Sequence, residues 1–437
     1  MTFEEQIGTA ILGIDTLWGG DVLCPSGTGR FIADSWFSDQ PLPAAYSHPA
    51  GARLRELGGV GDEPEKREAV RAYLKAVDIE GALRALKQSA TIGTLRGDYL
   101  AGLVLCFETM LALVKEIIGD GPAVAYDACV TASTGRPPEP SDPVAKRERV
   151  AELLGAPADL LDAVDAWRKA QAVPMAAIRL LGAAVIGHFE GLTAKHVAPH
   201  LPADLRSVPT ANIEFLPIKE AWFSGSMNYL GRARRPDGSP EYEATYEINA
   251  SLQISLPEFL QLVSHEVVPG HVTTFAYLQN LYHRKLVGFE ASVLTMNTRA
   301  ATLFEGIANN AILMAYDMTE VEQLPDPDLQ IGVLLALLQD DAKNQSSFLT
   351  WGEGRPQEEV AKTLRDNFLV SEERAGKLSG AWGRHPLLGR MYLPAYRAGT
   401  RKIAELRRRY PASKFLPVLY GCAGLVDIVT IDKALSE

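Results

Sequence analysis

The sequence predicts a mainly α-helical protein with one small antiparallel β-sheet lying just ahead of its most informative helix. Three features carry that expectation. Apolar residues recur at three- and four-residue spacing through most of the 437 residues. Between about 209 and 255 that period gives way to short aromatic and β-branched runs broken by turn residues. Beyond 255 the helical period returns and continues to the C-terminus.

Composition sets the outer bounds. At 47% hydrophobic residues the chain can bury a large core, and its length suggests two lobes. A net charge of −11 argues against nucleic acid or an anionic membrane as partner. Cys24, Cys106, Cys129 and Cys422 are far apart and form no C-x-x-C pair, which fits free thiols in a reducing compartment. The segment "MTFEEQIGTAILGIDTLW" has acidic residues where a signal peptide needs basic ones. No run approaches eighteen apolar residues, so nothing reads as membrane-spanning. The expected location is cytoplasmic.

Along the chain, "PEKREAVRAYLKAVDIEGALRAL" (64–86) reads as an amphipathic helix. "DYLAGLVLCFETMLALVKEI" (98–117) is apolar nearly all round and should lie deep in the core. A proline-rich loop, "TGRPPEPSDP" (134–143), precedes a further helix start in "PSDPVAKRERVAELL", and helix continues to about 200. These elements make an N-terminal helical lobe, 1–205, expected to form one continuous structural unit with the rest of the chain. The second lobe, 206–437, opens with strands near 212–217, 226–232 and 242–249, the last two paired across "RPDGSP".

The helix after the sheet begins with clear signals. Ser255 can cap it, Pro257 suits its first turn, and Glu258 completes a capping box. Phe259, Leu262 and Val263 form its core face. It runs into "LVSHEVVPGHVTTF" (262–275), which resembles the zinc signature H-E-x-x-H with a stretched spacing. In a straight helix, residues six apart diverge by roughly 120° around the axis. His265 and His271 can therefore share a face only if the helix is interrupted. Pro269 cannot donate to the His265 carbonyl, and Gly270 adds flexibility. A kink or bulge there, looping out two residues, is the expected remedy.

A zinc site of this kind needs a third ligand, commonly a later glutamate. "MNTRAATLFEGIANNAILMAYDM" (296–318) places Glu305 in an apolar helix, where an unpaired carboxylate is costly. The competing reading is a buried salt bridge to an arginine such as Arg299. Gly306 and Ala308 would let this helix approach the His265 helix closely. Asn309, one turn on, would orient a histidine ligand through its free ring nitrogen.

The combination "HEVVPGH", "FEGIANN" and "AYRAGTRKIAELR" (395–407) resembles the domain of unknown function 885 family. That family carries H-E-x-x-P-G-H-H, then E-G-W-A, then a C-terminal tyrosine–glycine helix ending in basic residues. "ATYEIN" (244–249) is similar to the segment ahead of the family's metal helix. The resemblance covers roughly the C-terminal half. It implies a glutamate-zincin-like metallopeptidase of mostly helical fold, with the small sheet beside the active-site helix. Two positions depart from the pattern: Val272 stands where the family has its second adjacent histidine, and Ile307 where it has tryptophan.

The expected chemistry follows. His265, His271 and Glu305 hold Zn2+ and leave a position for water, and Glu266 acts as general base. Tyr396, in the segment resembling the family's tyrosine motif, is the candidate oxyanion donor, with His385 a weaker one. Arg390 and Arg397 are candidates for binding a substrate carboxylate. An edge strand, 226–230 or 245–249, would align an extended substrate. The expected substrate is a short peptide or small amide. Rival readings are a non-peptide amide or ester hydrolase, a non-haem iron oxygenase with the same ligand types, and an inactive binding protein.

Overall fold

The computed structural model describes residues 2–18, 20–25, 34–155, 158–218, 225–249, 254–292 and 295–437. Helices dominate. The 64–86 stretch is two helices, Glu63–Val77 and Ile79–Ser89. They hinge at Asp78, which takes a left-handed conformation (φ 54°) while its carboxylate caps Gly81 N. Asparagine and aspartate tolerate that conformation better than other side chains do, so one residue ends one helix and starts the next. The apolar 98–117 run lies within Leu95–Ile118, capped by Thr94 and buried from Leu100 to Ile118 on most of its surface. Beyond the proline-rich loop, Val144–Leu154 is helical and ends on Gly155.

Three strands, Ile213–Ile218, Gly225–Leu230 and Glu243–Asn249, form the expected sheet. The second and third are antiparallel, with Leu230 opposite Glu243, as the intervening turn predicts. The first strand pairs in parallel with the third, so the sheet is mixed instead of antiparallel. Alternation marks a strand and its faces, but it carries no record of the neighbour's direction. The third strand is therefore central, and its 245–249 segment has no free edge to offer. Ala244, Tyr246 and Ile248 form its buried face. A two-residue antiparallel pair, Gly20–Asp21 with Cys24–Pro25, stands apart from this sheet.

Buried apolar side chains form two clusters, and each draws on both halves of the chain. The first joins N-terminal residues such as Leu12, Phe107 and Leu113 to Ile403, Tyr420 and Ile431 near the C-terminus. The second joins Val164 and Phe189 to the sheet, Phe259 and Leu338. A boundary at 205 thus does not separate two cores. Two helices lie on the seam. His271–His283 gives Ala276 and Tyr277 to the first cluster but Val272 and Phe275 to the second. Arg299–Ala315 gives Leu303 and Ile307 to the first, Ile312 and Leu313 to the second. Among the described residues no helix is long and apolar enough to cross a membrane. All four cysteines are free thiols.

Candidate metal centre

The His265 helix spans Leu256–Glu266 and starts as its sequence predicts. Ser255 Oγ accepts from Glu258 N at 3.3 Å while the Glu258 carboxylate accepts from Ser255 N at 3.4 Å. Phe259 and Val263 are buried and Leu262 is partly so. The helix then stops at Glu266, and a second one begins at His271. The break predicted at Pro269–Gly270 is there, but it separates two helices where a bulge within one was expected. The Val268–Pro269 peptide is cis.

Gly270 has a more specific reason than flexibility. A β-carbon built on it would collide with the His265 carbonyl oxygen and also with that of Ser264. Only glycine lets the chain turn so tightly beneath the end of the first helix. Thr273 N donates to Val267 O, and Thr274 donates through both N and Oγ1 to Gly270 O. Tyr420 Oη closes the junction from outside by donating to Pro269 O at 2.7 Å. The outcome is a histidine pair with ring centroids 4.8 Å apart and planes perpendicular.

Glu305 completes the group. His265 Nε2 lies 3.6 Å and His271 Nε2 3.9 Å from Glu305 Oε2, and the three ligand atoms fall within 4.8 Å of one another. Both separations exceed hydrogen-bonding distance. Glu305 Oε2 is buried and has no hydrogen-bond partner. Burial lowers the proton affinity of both rings, that of His271 to a pKa of about 4 and that of His265 well below its usual value. Two neutral imidazoles and one carboxylate oxygen thus turn lone pairs towards one small space. Ligands about 2.0–2.2 Å from a tetrahedral zinc would stand roughly 3.4 Å apart, which the two histidine–glutamate separations approach while the set as a whole spans 4.8 Å. The residues present fit that ion.

The other carboxylate oxygen has a different partner. Tyr392 Oη donates to Glu305 Oε1 at 2.5 Å, and Tyr396 lies close to the same carboxylate, its ring 5.0 Å from that of Tyr392. Arg299 takes no part, since its Nε donates to Ala132 O instead. Both tyrosines arrive through a glycine contact. A β-carbon on Gly306 would strike the backbone of Gly399, and one on Gly399 would strike Thr302 O. Gly306 thus admits the Leu393–Arg409 helix, not the His265 helix as its composition suggested. Asn309 hydrogen-bonds the His265 side chain and donates Nδ2 to Thr400 Oγ1 at 2.8 Å, so it is itself held.

Glu266, beside the first ligand, has its carboxyl pushed up to about 8 by burial and by the nearby charge of Glu305, with Lys343 opposing. Lys343, on Pro327–Ser347, bonds Asp340 Oδ1 at 3.0 Å and sits 3.2 Å above the Tyr396 ring. Neither Tyr392, Lys343 nor Asp340 stands out in the sequence. The one visible trace of Lys343 and Asp340 is "QDDAKNQSS" (339–347), a polar run closing an otherwise apolar helix.

The remaining candidates lie elsewhere. Arg390 is buried, with an ion pair to Glu116 at 3.0 Å and bonds to the Val124 and Pro386 carbonyls. Its donors are spent on holding helices together, so it cannot serve as the expected substrate anchor. Arg397 pairs with Asp341 at 3.2 Å and Glu139 at 3.6 Å, and is committed in the same way. His385 Nδ1 accepts from Leu387 N and Leu388 N, and its ring neighbours Trp18. It caps a turn there.

No protein family and no curated protein matches this sequence. Two solved structures share its fold. One is a candidate lipoprotein from Colwellia psychrerythraea, 15% identical, with a TM-score of 0.55 over 93% of this chain and 77% of that one. The other is a candidate lipoprotein of unknown function from Shewanella oneidensis, 14% identical, with a TM-score of 0.51 over 94% of this chain and 81% of that one. At such identities the likeness speaks for the fold alone.

Proposed function

We propose that the chain is a zinc-dependent, zincin-like hydrolase acting on short peptides or small amides. One observation carries the reading: two neutral imidazoles converge on a buried carboxylate oxygen that has no other partner. The glutamate oxygen has lost solvation without gaining a hydrogen bond, and a divalent cation held by the three groups would satisfy it. The resemblance of "HEVVPGH" and "FEGIANN" to a zincin-like family supports the same conclusion.

Bound zinc would supply a water of lowered pKa and polarise the scissile carbonyl. The chain's own residues do the rest. His265, His271 and Glu305 would hold the ion. Tyr392 occupies Oε1, which leaves Glu305 one oxygen for coordination. Asn309 fixes the His265 ring by its hydrogen bond. Glu266 takes the proton of the attacking water and returns it to the leaving nitrogen. Tyr396 is the donor to the tetrahedral oxyanion. Gly225–Leu230, an edge of the sheet, is the surface on which an extended substrate would align.

Zinc stoichiometry measured beside turnover tests this reading. His265→Ala and Glu305→Ala should lose the metal. Glu266→Gln should keep it while turnover falls by ~100-fold or more. Tyr396→Phe should keep metal and substrate affinity but slow the chemical step. Full activity in Glu266→Gln, or a parent protein that takes up no zinc, would sink the proposal.

A further inference from the structure

Arginines in the second half of the chain that lie out of water end on acceptors. Arg390 has Glu116, Arg397 has Asp341, and Arg407 has Asn310 with the carbonyls of Met318 and Thr319. Arg374, on the Glu372–Ser379 helix, differs. It is partly buried, yet its guanidinium has no hydrogen bond or ion pair among the described residues. Its neighbour is the Trp382 ring, 5.9 Å from Cζ to the ring centroid. None of its nitrogens is sealed from water either, so the fork opens onto accessible space. Buried polar groups are nearly always satisfied, and a half-buried cation without an acceptor calls for one.

What surrounds Arg374 says where that space is. Its titratable neighbours are Tyr396, Glu373, Asp340 and Tyr246. Glu373 is taken by Lys377 at 2.7 Å, and Asp340 by Lys343. Tyr396 lies close to the candidate ligand Glu305, and Tyr246 is a near neighbour of Glu266. The Tyr246 hydroxyl rests on Gly225, where any β-carbon would strike it. Gly225 is the first residue of the edge strand. Arg374 therefore borders both the candidate metal centre and the strand edge that leads to it.

We propose that Arg374 anchors a carboxylate of the substrate, so that the enzyme prefers peptides bearing a free carboxylate next to the bond it cleaves. A planar guanidinium with unoccupied donors pairs a carboxylate through two parallel hydrogen bonds, and the Trp382 ring lies within cation–π reach beside it. This deepens the hydrolase reading and rests on it for the cleavage step, while the binding step stands on Arg374 alone. The carboxylate can be a C-terminus or an acidic side chain.

Calorimetric titration of the full chain, with zinc supplied and after chelation, separates these arms. The probes are N-acetyl-glycyl-phenylalanine, its C-terminal amide, and N-acetyl-glycyl-glutamate amide. At least one free carboxylate should bind ~10-fold or more tighter than the uncharged amide. Which of the two does so names the source. Arg374→Gln should erase that preference, and Arg374→Lys should restore part of it. Arg374→Gln should also melt at the parent's temperature or above, because it removes an unpaired cation, and its zinc content should be unchanged. A structural arginine such as Arg390 would instead lower the melting point. Equal affinity for acids and amide, a preference that survives in Arg374→Gln, or no binding of any probe overturns the inference. Zinc uptake and turnover without a carboxylate preference would leave the hydrolase standing and remove this anchor. A carboxylate preference dependent on Arg374 in a protein without zinc or turnover would do the reverse.

Discussion

Two glycines bring the candidate site together, and they do so at very different ranges. Gly270 lets the chain fold back under the carbonyl of His265, a few residues upstream. Gly306 lets one long helix lie on another at Gly399, far along the sequence. The first contact aligns the two histidines of the candidate site, and the second delivers the tyrosines that border its glutamate. Each works by absence of a side chain, yet only the local one can be anticipated from neighbouring letters. Short-range geometry is written in the order of residues, while long-range geometry depends on which helices become neighbours.

The comparison can be broken most forcefully at the distant contact. Gly306→Ala places a methyl group against backbone on a crossing of two long helices, where neither can yield. It should destabilise the protein by about 3 kcal/mol, lower the melting temperature and lose metal. A variant that melts with the parent would show that the crossing has slack. Gly270→Ala acts on a short junction that can shift more easily, so about 2 kcal/mol is expected. Its sharper sign is metal loss, read by zinc affinity, because His271 swings from His265. Retained affinity would mean that the junction does not set the ligand geometry. The smallest effect belongs to Tyr392→Phe. It removes one hydrogen bond from Glu305 Oε1 and should weaken zinc binding ~10-fold or more, with little change in melting temperature. Unaltered affinity would reduce Tyr392 to a packing residue.

The same division explains what the sequence disclosed. Ser255 and Glu258 announce the His265 helix because capping is settled within four residues. The strand limits and the turn between the second and third strands were legible for the same reason. Glu305 was readable because a carboxylate in an apolar helix demands a partner, although Arg299 was an equal claimant until its bond to Ala132 was seen. The parallel pairing of the first strand was not legible, since alternation is the same in either direction. Nor was the choice among arginines. Arg390 and Arg397 sit in a basic stretch of sequence and look available, but Glu116 and Asp341 engage them from distant segments. Arg374 looks like any surface arginine in "SEERAGKLSG" until its surroundings are known. Tyr392 was hidden by Tyr396, one turn away and better matched to the family's pattern.

The interruption between the two histidines also has an electrostatic meaning. In a single continuous helix both rings would hang from mid-helix positions, where the backbone dipoles of adjacent turns cancel. Here His265 stands in the last turn of one helix and His271 is the first residue of the next. The two candidate ligands therefore sit at helix ends of opposite sign, each worth about 0.3–1 kcal/mol on a unit charge. The positive end lies at His271, where it opposes an imidazolium and favours an anion. Splitting the helix thus sets a small potential gradient across the ligand pair, which a straight helix with H-E-x-x-H spacing would lack.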